Sequence, residues 1–166
     1  MFQSDNPFAE NLTMDLERIF SLASSLVMPG WLLLVFLPWW RWTTAVITSV
    51  LIPAILGVTY LVLFIKYFGQ SPEGFSGFNT LAGVKALLQN DGMLLAGWLH
   101  YLAFDLFVGS WEVRDARRVG VPHLLVIPCL FLTLMMGPVG LLAYLVLRLA
   151  IRRVWTVDDA AAPAMS

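Results

Sequence analysis

Four stretches of this chain are long and apolar enough to cross a lipid bilayer, and that limits the fold more than any motif does. They run roughly from Ile19 to Leu37, Thr43 to Ile65, Met93 to Trp111 and Leu124 to Leu147. A spanning helix needs about 20 apolar residues, because each residue rises about 1.5 Å and hydrocarbon offers the backbone no hydrogen-bond partner. Any one stretch would suit the core helix of a soluble protein. Four in 166 residues leave too little polar surface to coat one. Hydrophobic residues are 59% of the chain, charged residues 13%, and the mean hydropathy is +0.78. That composition lies outside the soluble range. The expected fold class is all-α, a polytopic membrane protein with four transmembrane helices. One domain is expected over residues 1–155, followed by a disordered tail over 156–166.

The segments between the spans fit this reading. Pro38 and the run Trp39-Trp40-Arg41-Trp42 separate the first two spans, and tryptophan at a span end sits at headgroup depth. Trp111 and Trp155 suit the same anchoring role. The connection from Tyr67 to Gly92 is the longest. It opens on the turn-rich "GQSPEGFSGFN" and continues as "NTLAGVKALLQND", where Leu81, Val84, Leu87 and Leu88 share a face. A short amphipathic helix at the interface is expected there, capped by Asn79. The N-terminal stretch carries Asp5, Glu10, Asp15 and Glu17 before its first cation, Arg18, which is unlike a cleaved leader. Four spans put both termini on one side, together with Arg18, Lys66, Lys85, Arg148, Arg152 and Arg153. The other side has Arg41, Arg114, Arg117 and Arg118. Six against four places the termini in the cytoplasm. The net charge of −1 gives no case for nucleic acid, and one cysteine, Cys129, forms no internal disulfide.

Polar residues inside the apolar stretches are where function is expected. A charged side chain at mid-bilayer costs about 2.5–3.5 kcal/mol on insertion scales, so it faces protein, pairs, or takes up a proton. At about 100° per residue, Trp98, Tyr101, Asp105, Val108 and Glu112 fall on one stripe of the third span. His100 points about 140° away from Asp105, with Phe104, Phe107 and Trp111 on its own side. The loop "WEVRDARRVGVPH" reads as a charged turn at the membrane surface, with Glu112, Asp115 and His123 at one level. The fourth span is interrupted by Pro128 and by "GPVG" at Gly137–Gly140, where a bend and a close helix approach are expected. Counting down from this loop at about 1.5 Å per residue puts Asp105 level with Cys129, and His100 level with Thr133. The two histidines then lie about 16 Å apart in depth, too far to share an ion or a haem. No metal, cofactor, nucleophile triad or phosphate loop is expected.

Taken together, "GWLHYLAFDLFVG", Asp115, "PHLLVIPCLFLT" and "GPVGLLAY" resemble the small membrane family named after an abscisic-acid-deficient plant protein and associated with neoxanthin synthesis. The resemblance runs over Phe78 to Tyr144 and more loosely over the first two spans. It rests on His100, Asp105, Leu106, Phe107, Asp115, His123, Cys129, Gly137, Pro138 and Gly140. With no transit-like extension the chain looks like a bacterial member, in an inner membrane. The family's chemistry implies an isomerisation without redox change: an epoxide opens while the adjacent carbon loses a proton and becomes part of an allene. That needs an acid for the oxygen and a base for the carbon. The resemblance points to His100, Asp105, Asp115 and His123 as catalytic residues. Trp98, Tyr101, Phe104, Cys129, Thr133, Gly137 and Pro138 are the expected substrate contacts. The expected partners are membrane lipid and a carotenoid or polyene ligand. Two other classes stay open at this point: a pigment- or lipid-binding scaffold, and a proton or solute conductor, whose pore would require a homo-oligomer.

Overall fold

The computed structural model describes residues 7–70, 74–154 and 156, with side chains from Met14 onward. Trp155 and the tail after Thr156 lie outside the described residues. Among those described, every regular element is helical. In order they are α1 (Pro7–Phe36), a π-helical stretch (Thr43–Leu51) running into α2 (Ile52–Phe68), a 3₁₀ turn (Gly74–Asn79), α3 (Leu81–Leu88), α4 (Asp91–Val119), α5 (His123–Met136) and α6 (Pro138–Arg152). Among the described residues, three segments are long and apolar enough to cross a membrane: Met14–Phe36, Thr43–Phe68 and Asp91–Val119. By its contacts the chain divides into two compact units. One comprises Met1–Met28 and Ala54–Ala103, the other Pro29–Pro53 and Phe104–Ser166.

In the first unit, Val27, Leu56, Leu63, Tyr67, Leu87, Ala96 and Leu99 form an apolar interior. Gly92 lets α4 lie flat on the Tyr67 ring, where a Cβ would collide. Asn90 starts α4 by accepting hydrogen bonds from the amides of Gly92 at 3.0 Å and Met93 at 3.1 Å. The helix expected in the long connection is present as α3. Its cap is Thr80, not Asn79: Thr80 is extended, and its hydroxyl accepts from the Gly83 amide at 3.0 Å. Leu87 faces inward on α3 while Leu81 and Leu88 face out, so the expected apolar face is divided.

The second unit departs further from expectation. α4 continues through the charged segment to Val119, so the turn before α5 is only Gly120-Val121-Pro122. The stretch expected as one fourth span, Leu124 to Leu147, is two helices. Gly137 takes a positive φ of 36°, which a side chain resists, and Pro138 begins α6 where its missing N–H costs nothing. Gly140 then packs on the Thr133 backbone, where a Cβ would collide. Four contacts along α4 fix the direction of the pair. Thr133 on α5 meets Glu112, and Gly137 lies beside Asp105. On α6, Tyr144 meets Asp115 and Arg152 donates to the Gly120 carbonyl. α5 therefore runs antiparallel to the second half of α4, and α6 returns parallel to it. The hairpin opens and closes at the same end. The 14 residues of α5 reach about 21 Å, short of the hydrocarbon thickness of about 30 Å. The expected levels shift accordingly. Cys129 is not opposite Asp105, because α4 runs on to Val119 and the turn before α5 is three residues long.

The outward surface is apolar. Leu22, Leu32, Phe36, Val58, Ile65, Phe131 and Leu142 are all more than half exposed. Thr43, Thr48, Asp105, Ser110, Glu112, Asp115, Thr133 and Arg148 are buried. This reverses the soluble arrangement and matches a lipid surround, in which polar groups must be satisfied inside the protein.

Candidate functional site

α4 carries Asp105, Glu112 and Asp115 along one stripe, and all three are buried. Asp115 is paired with two cations. Its Oδ2 lies 2.8 Å from Arg148 Nε and its Oδ1 lies 2.7 Å from Arg118 Nη2. The Tyr144 hydroxyl donates to Oδ2 at 2.6 Å. Arg148 is 1% exposed, so this ion pair stands in a low-dielectric interior where each charge depends on the other. Trp111, expected as an interfacial anchor, instead packs edge-on against Tyr144, with ring centroids 5.6 Å apart.

Glu112 is different. It is wholly buried, and its Oε1 lies 2.9 Å from Thr133 Oγ1. The single Thr133 proton is shared between that oxygen and the Cys129 carbonyl, 3.0 Å away. The other carboxyl oxygen, Oε2, has no hydrogen-bond partner among the described residues. Asp105 and Cys129 are near enough to interact with Glu112 electrostatically. Asp105 lies at the tip of the hairpin, where a Cβ on Gly137 would stand 2.7 Å from its Oδ1. Of the expected site residues, the second unit thus gathers Asp105, Asp115, Cys129, Thr133 and Gly137 along one seam. Pro138 starts α6 beside it, and Phe104 points outward, 58% exposed.

His123 does not join Asp115. Its Nε2 lies 3.0 Å from the Val35 carbonyl, so it ties the start of α5 to the end of α1. The arginines expected in a solvated turn also serve as ties. Arg117 donates to the Pro38 carbonyl at 3.0 Å. Arg114 donates to the Thr44 carbonyl and to Ser49 Oγ, each at 3.1 Å. Thr44 belongs to the π-helical stretch, whose wider turn is rare and often found at functional sites. Thr48 donates to the Thr43 carbonyl at 2.8 Å, and Ser49 donates to the Thr44 carbonyl. Ser110 on α4 closes the group, 3.0 Å from Thr48 Oγ1.

The first unit holds the remaining expected residues. His100 is exposed, its ring 5.9 Å from that of Tyr60. Trp98 and Tyr101 are 5.5 Å apart, and Phe20 is 5.6 Å from Trp98. Trp98 Nε1 donates to Ser24 Oγ at 3.2 Å. These aromatics line a groove of about 700 Å³ within that unit.

Sequence reasoning missed Glu112, Tyr144 and Arg148 as members of the buried set. A signal existed for the first: it lies on the Asp105 stripe, two turns along. The hydroxyl spacing of the π-helix was also visible, since Thr43 and Thr48, and Thr44 and Ser49, each lie five apart.

No curated protein and no solved structure matches this chain. A family model described as ABA4-like, ABA DEFICIENT 4-like, matches residues 18–144. The matched stretch takes in all three buried carboxyls and Tyr144, and stops short of Arg148. With most of its length covered, the chain belongs to the ABA DEFICIENT 4-like family.

Proposed function

We propose that the chain is a membrane-embedded isomerase of a carotenoid-like polyene lipid, related in chemistry to neoxanthin synthesis, in which Asp105 and Glu112 handle the proton. Family membership supports the substrate class. The carrying observation is Glu112: a wholly buried carboxyl with one oxygen on Thr133 and the other without a partner among the described residues. Asp115 has its cations and serves the fold; Glu112 has none within ion-pair distance among the described residues. A buried carboxyl without a cation suits proton transfer better than anchoring. In the reaction, one carboxyl gives a proton to the epoxide oxygen as its C–O bond opens. The other takes a proton from the adjacent carbon, whose electrons form the new double bond. One proton is given and one taken, so substrate and product are isomers and no electron carrier enters the balance.

The test uses purified protein in liposomes with an epoxy-carotenoid, product being separated by chromatography. Asp105→Asn and Glu112→Gln are expected to lose turnover by about 100-fold or more at unchanged melting temperature. Unchanged turnover in both overturns the assignment. Pigment that stays bound but is returned unconverted by the wild type replaces it with the scaffold reading.

We infer three spans and one re-entrant hairpin, α5 with α6. An odd number of spans puts the two ends of α1–α6 on opposite sides. Arg41, Arg114, Arg117, Arg118, Arg148, Arg152 and Arg153 then gather at the end where the hairpin opens, against Arg18, Lys66 and Lys85 at the other. Seven against three supports a reading in which the hairpin's mouth faces the cytoplasm from an inner membrane. A fluorescent protein fused after Ser166 is expected to fluoresce, and a periplasm-only reporter there to stay silent; the reverse pattern sinks this topology.

A further inference from the structure

In the second unit, the turn between α1 and the π-helical stretch is tied to the far end of α4. Within the turn the Trp40 amide donates to the Leu37 carbonyl at 3.2 Å and the Thr43 amide to the Trp40 carbonyl at 3.0 Å. The Thr43 hydroxyl adds a bond to the Leu37 carbonyl at 2.9 Å, so residues 37–43 fold tightly. Arg117 reaches this turn from α4 and donates to the Pro38 carbonyl. A guanidinium has five N–H donors, so one such bond fixes the head and leaves donors over. Arg41 stands three residues beyond Pro38, its Cζ 5.0 Å from the centre of the Trp42 ring. Both arginines are exposed, and among the described residues neither has a carboxylate within ion-pair distance. Residues 37–43 and 114–123 carry Arg41, Arg114, Arg117 and Arg118 against one acid, Asp115, which already lies between Arg118 and Arg148. Trp39, Trp40 and Trp42 are exposed around the turn. Leu32 and Phe36, one helical turn apart on α1, expose an apolar strip that leads away from it.

We propose that Arg41 and Arg117 hold the phosphate of an anionic phospholipid at this turn, with its acyl chains along Leu32 and Phe36. The guanidinium fork matches phosphate oxygens, and its bonds to them are charge-assisted. The Pro38 carbonyl holds the Arg117 head in place before a ligand arrives, which lowers the ordering cost of binding. The exposed tryptophans suit headgroup depth, and a phosphate there is the anion with an apolar chain attached. A soluble anion would make no use of the strip on α1. A zwitterionic headgroup brings its own cation next to the two arginines and is held less well. Each arginine near an anionic headgroup contributes about fivefold in affinity. The proposal rests on the end of α1 standing at a membrane surface, and on nothing in the isomerase reading.

The test titrates the full-length protein in a neutral detergent with phosphatidylglycerol and with phosphatidylcholine of the same acyl chains. Bound lipid is counted by native mass spectrometry. Phosphatidylglycerol is expected to bind at least about tenfold more tightly. Arg41→Gln removes no hydrogen bond among the described residues, and is expected to lower that preference about fivefold at unchanged melting temperature. Arg117→Gln also unties the Pro38 carbonyl, so the result at Arg41 decides. Arg153→Gln, an exposed arginine at the end of α6, is expected to leave the preference within about twofold of the wild type, which separates a local site from diffuse charge. Inorganic phosphate is expected not to displace the lipid. Asp105→Asn is expected to keep the full preference, whatever it does to turnover. Equal binding of the two lipids, a preference that survives Arg41→Gln, an equal loss at Arg153→Gln, or displacement by inorganic phosphate overturns the proposal.

Discussion

The two units bury opposite things. Among the described residues, the first keeps Asp15, Glu17 and Asp91 at the surface and fills its interior with Leu56, Leu63, Ala96 and Leu99. The second buries Asp105, Glu112, Asp115 and Arg148 together with the hydroxyl residues Thr43, Thr44, Thr48, Ser110, Thr133 and Tyr144. One unit therefore gains its stability from apolar contact, which tolerates small losses. The other depends on polar partners, and each partner removed leaves a buried group unsatisfied.

Four substitutions would break or sharpen that contrast. The largest effect is expected from Arg148→Met, which leaves the buried Asp115 with Arg118 as its remaining partner among the described cations. It should cost about 3–5 kcal/mol, read from denaturant unfolding in micelles. Adding Asp115→Leu should recover much of the loss, because the stranded carboxyl goes too. Next is Gly137→Ala, which forces a side chain into a positive φ and against Asp105. About 1–3 kcal/mol is expected, read the same way. Ser110→Ala removes the hydroxyl bridging Thr48 to α4, and about 1 kcal/mol is expected. The smallest effect is expected in the first unit: Ser24→Ala removes only the acceptor of Trp98, about 0.6 kcal/mol by the average for hydrogen bonds between membrane helices. A loss at Ser24 as large as that at Arg148 would end the contrast between the units.

The sequence made the helical class and the three long helices legible, because lipid-length apolar runs have few other uses. The Asp105–Glu112 stripe was legible from helical period alone. What escaped was the status of the charged segment from Glu112 to Arg118. Hydropathy treats each charge as solvated, and so α4 was expected to end at Trp111. It cannot register that Arg148, thirty-three residues beyond Asp115, supplies the missing cation. The fourth apolar stretch failed for a related reason. Its length suited a span, and Gly137-Pro138 read as a bend, whereas a positive φ at Gly137 reverses the chain. Asp115 and His123 fell together on paper because both border one loop; in the fold each has its own partner.

The π-helical stretch bears on how this chain can change length. Loops usually absorb insertions and deletions, and helices in bundles absorb few. Here nine residues are wound with each turn about one residue wider than in an α-helix. Removing one of Ala45, Val46 and Ile47 would let the segment relax to ordinary winding. It would also turn the hydroxyls that follow by about 100°, taking Thr48 off Ser110 and Ser49 off Arg114. The chain would lose no apolar length and would still insert. A one-codon deletion there thus acts as a rotation of one helix against another, a change that no point substitution in the segment reproduces.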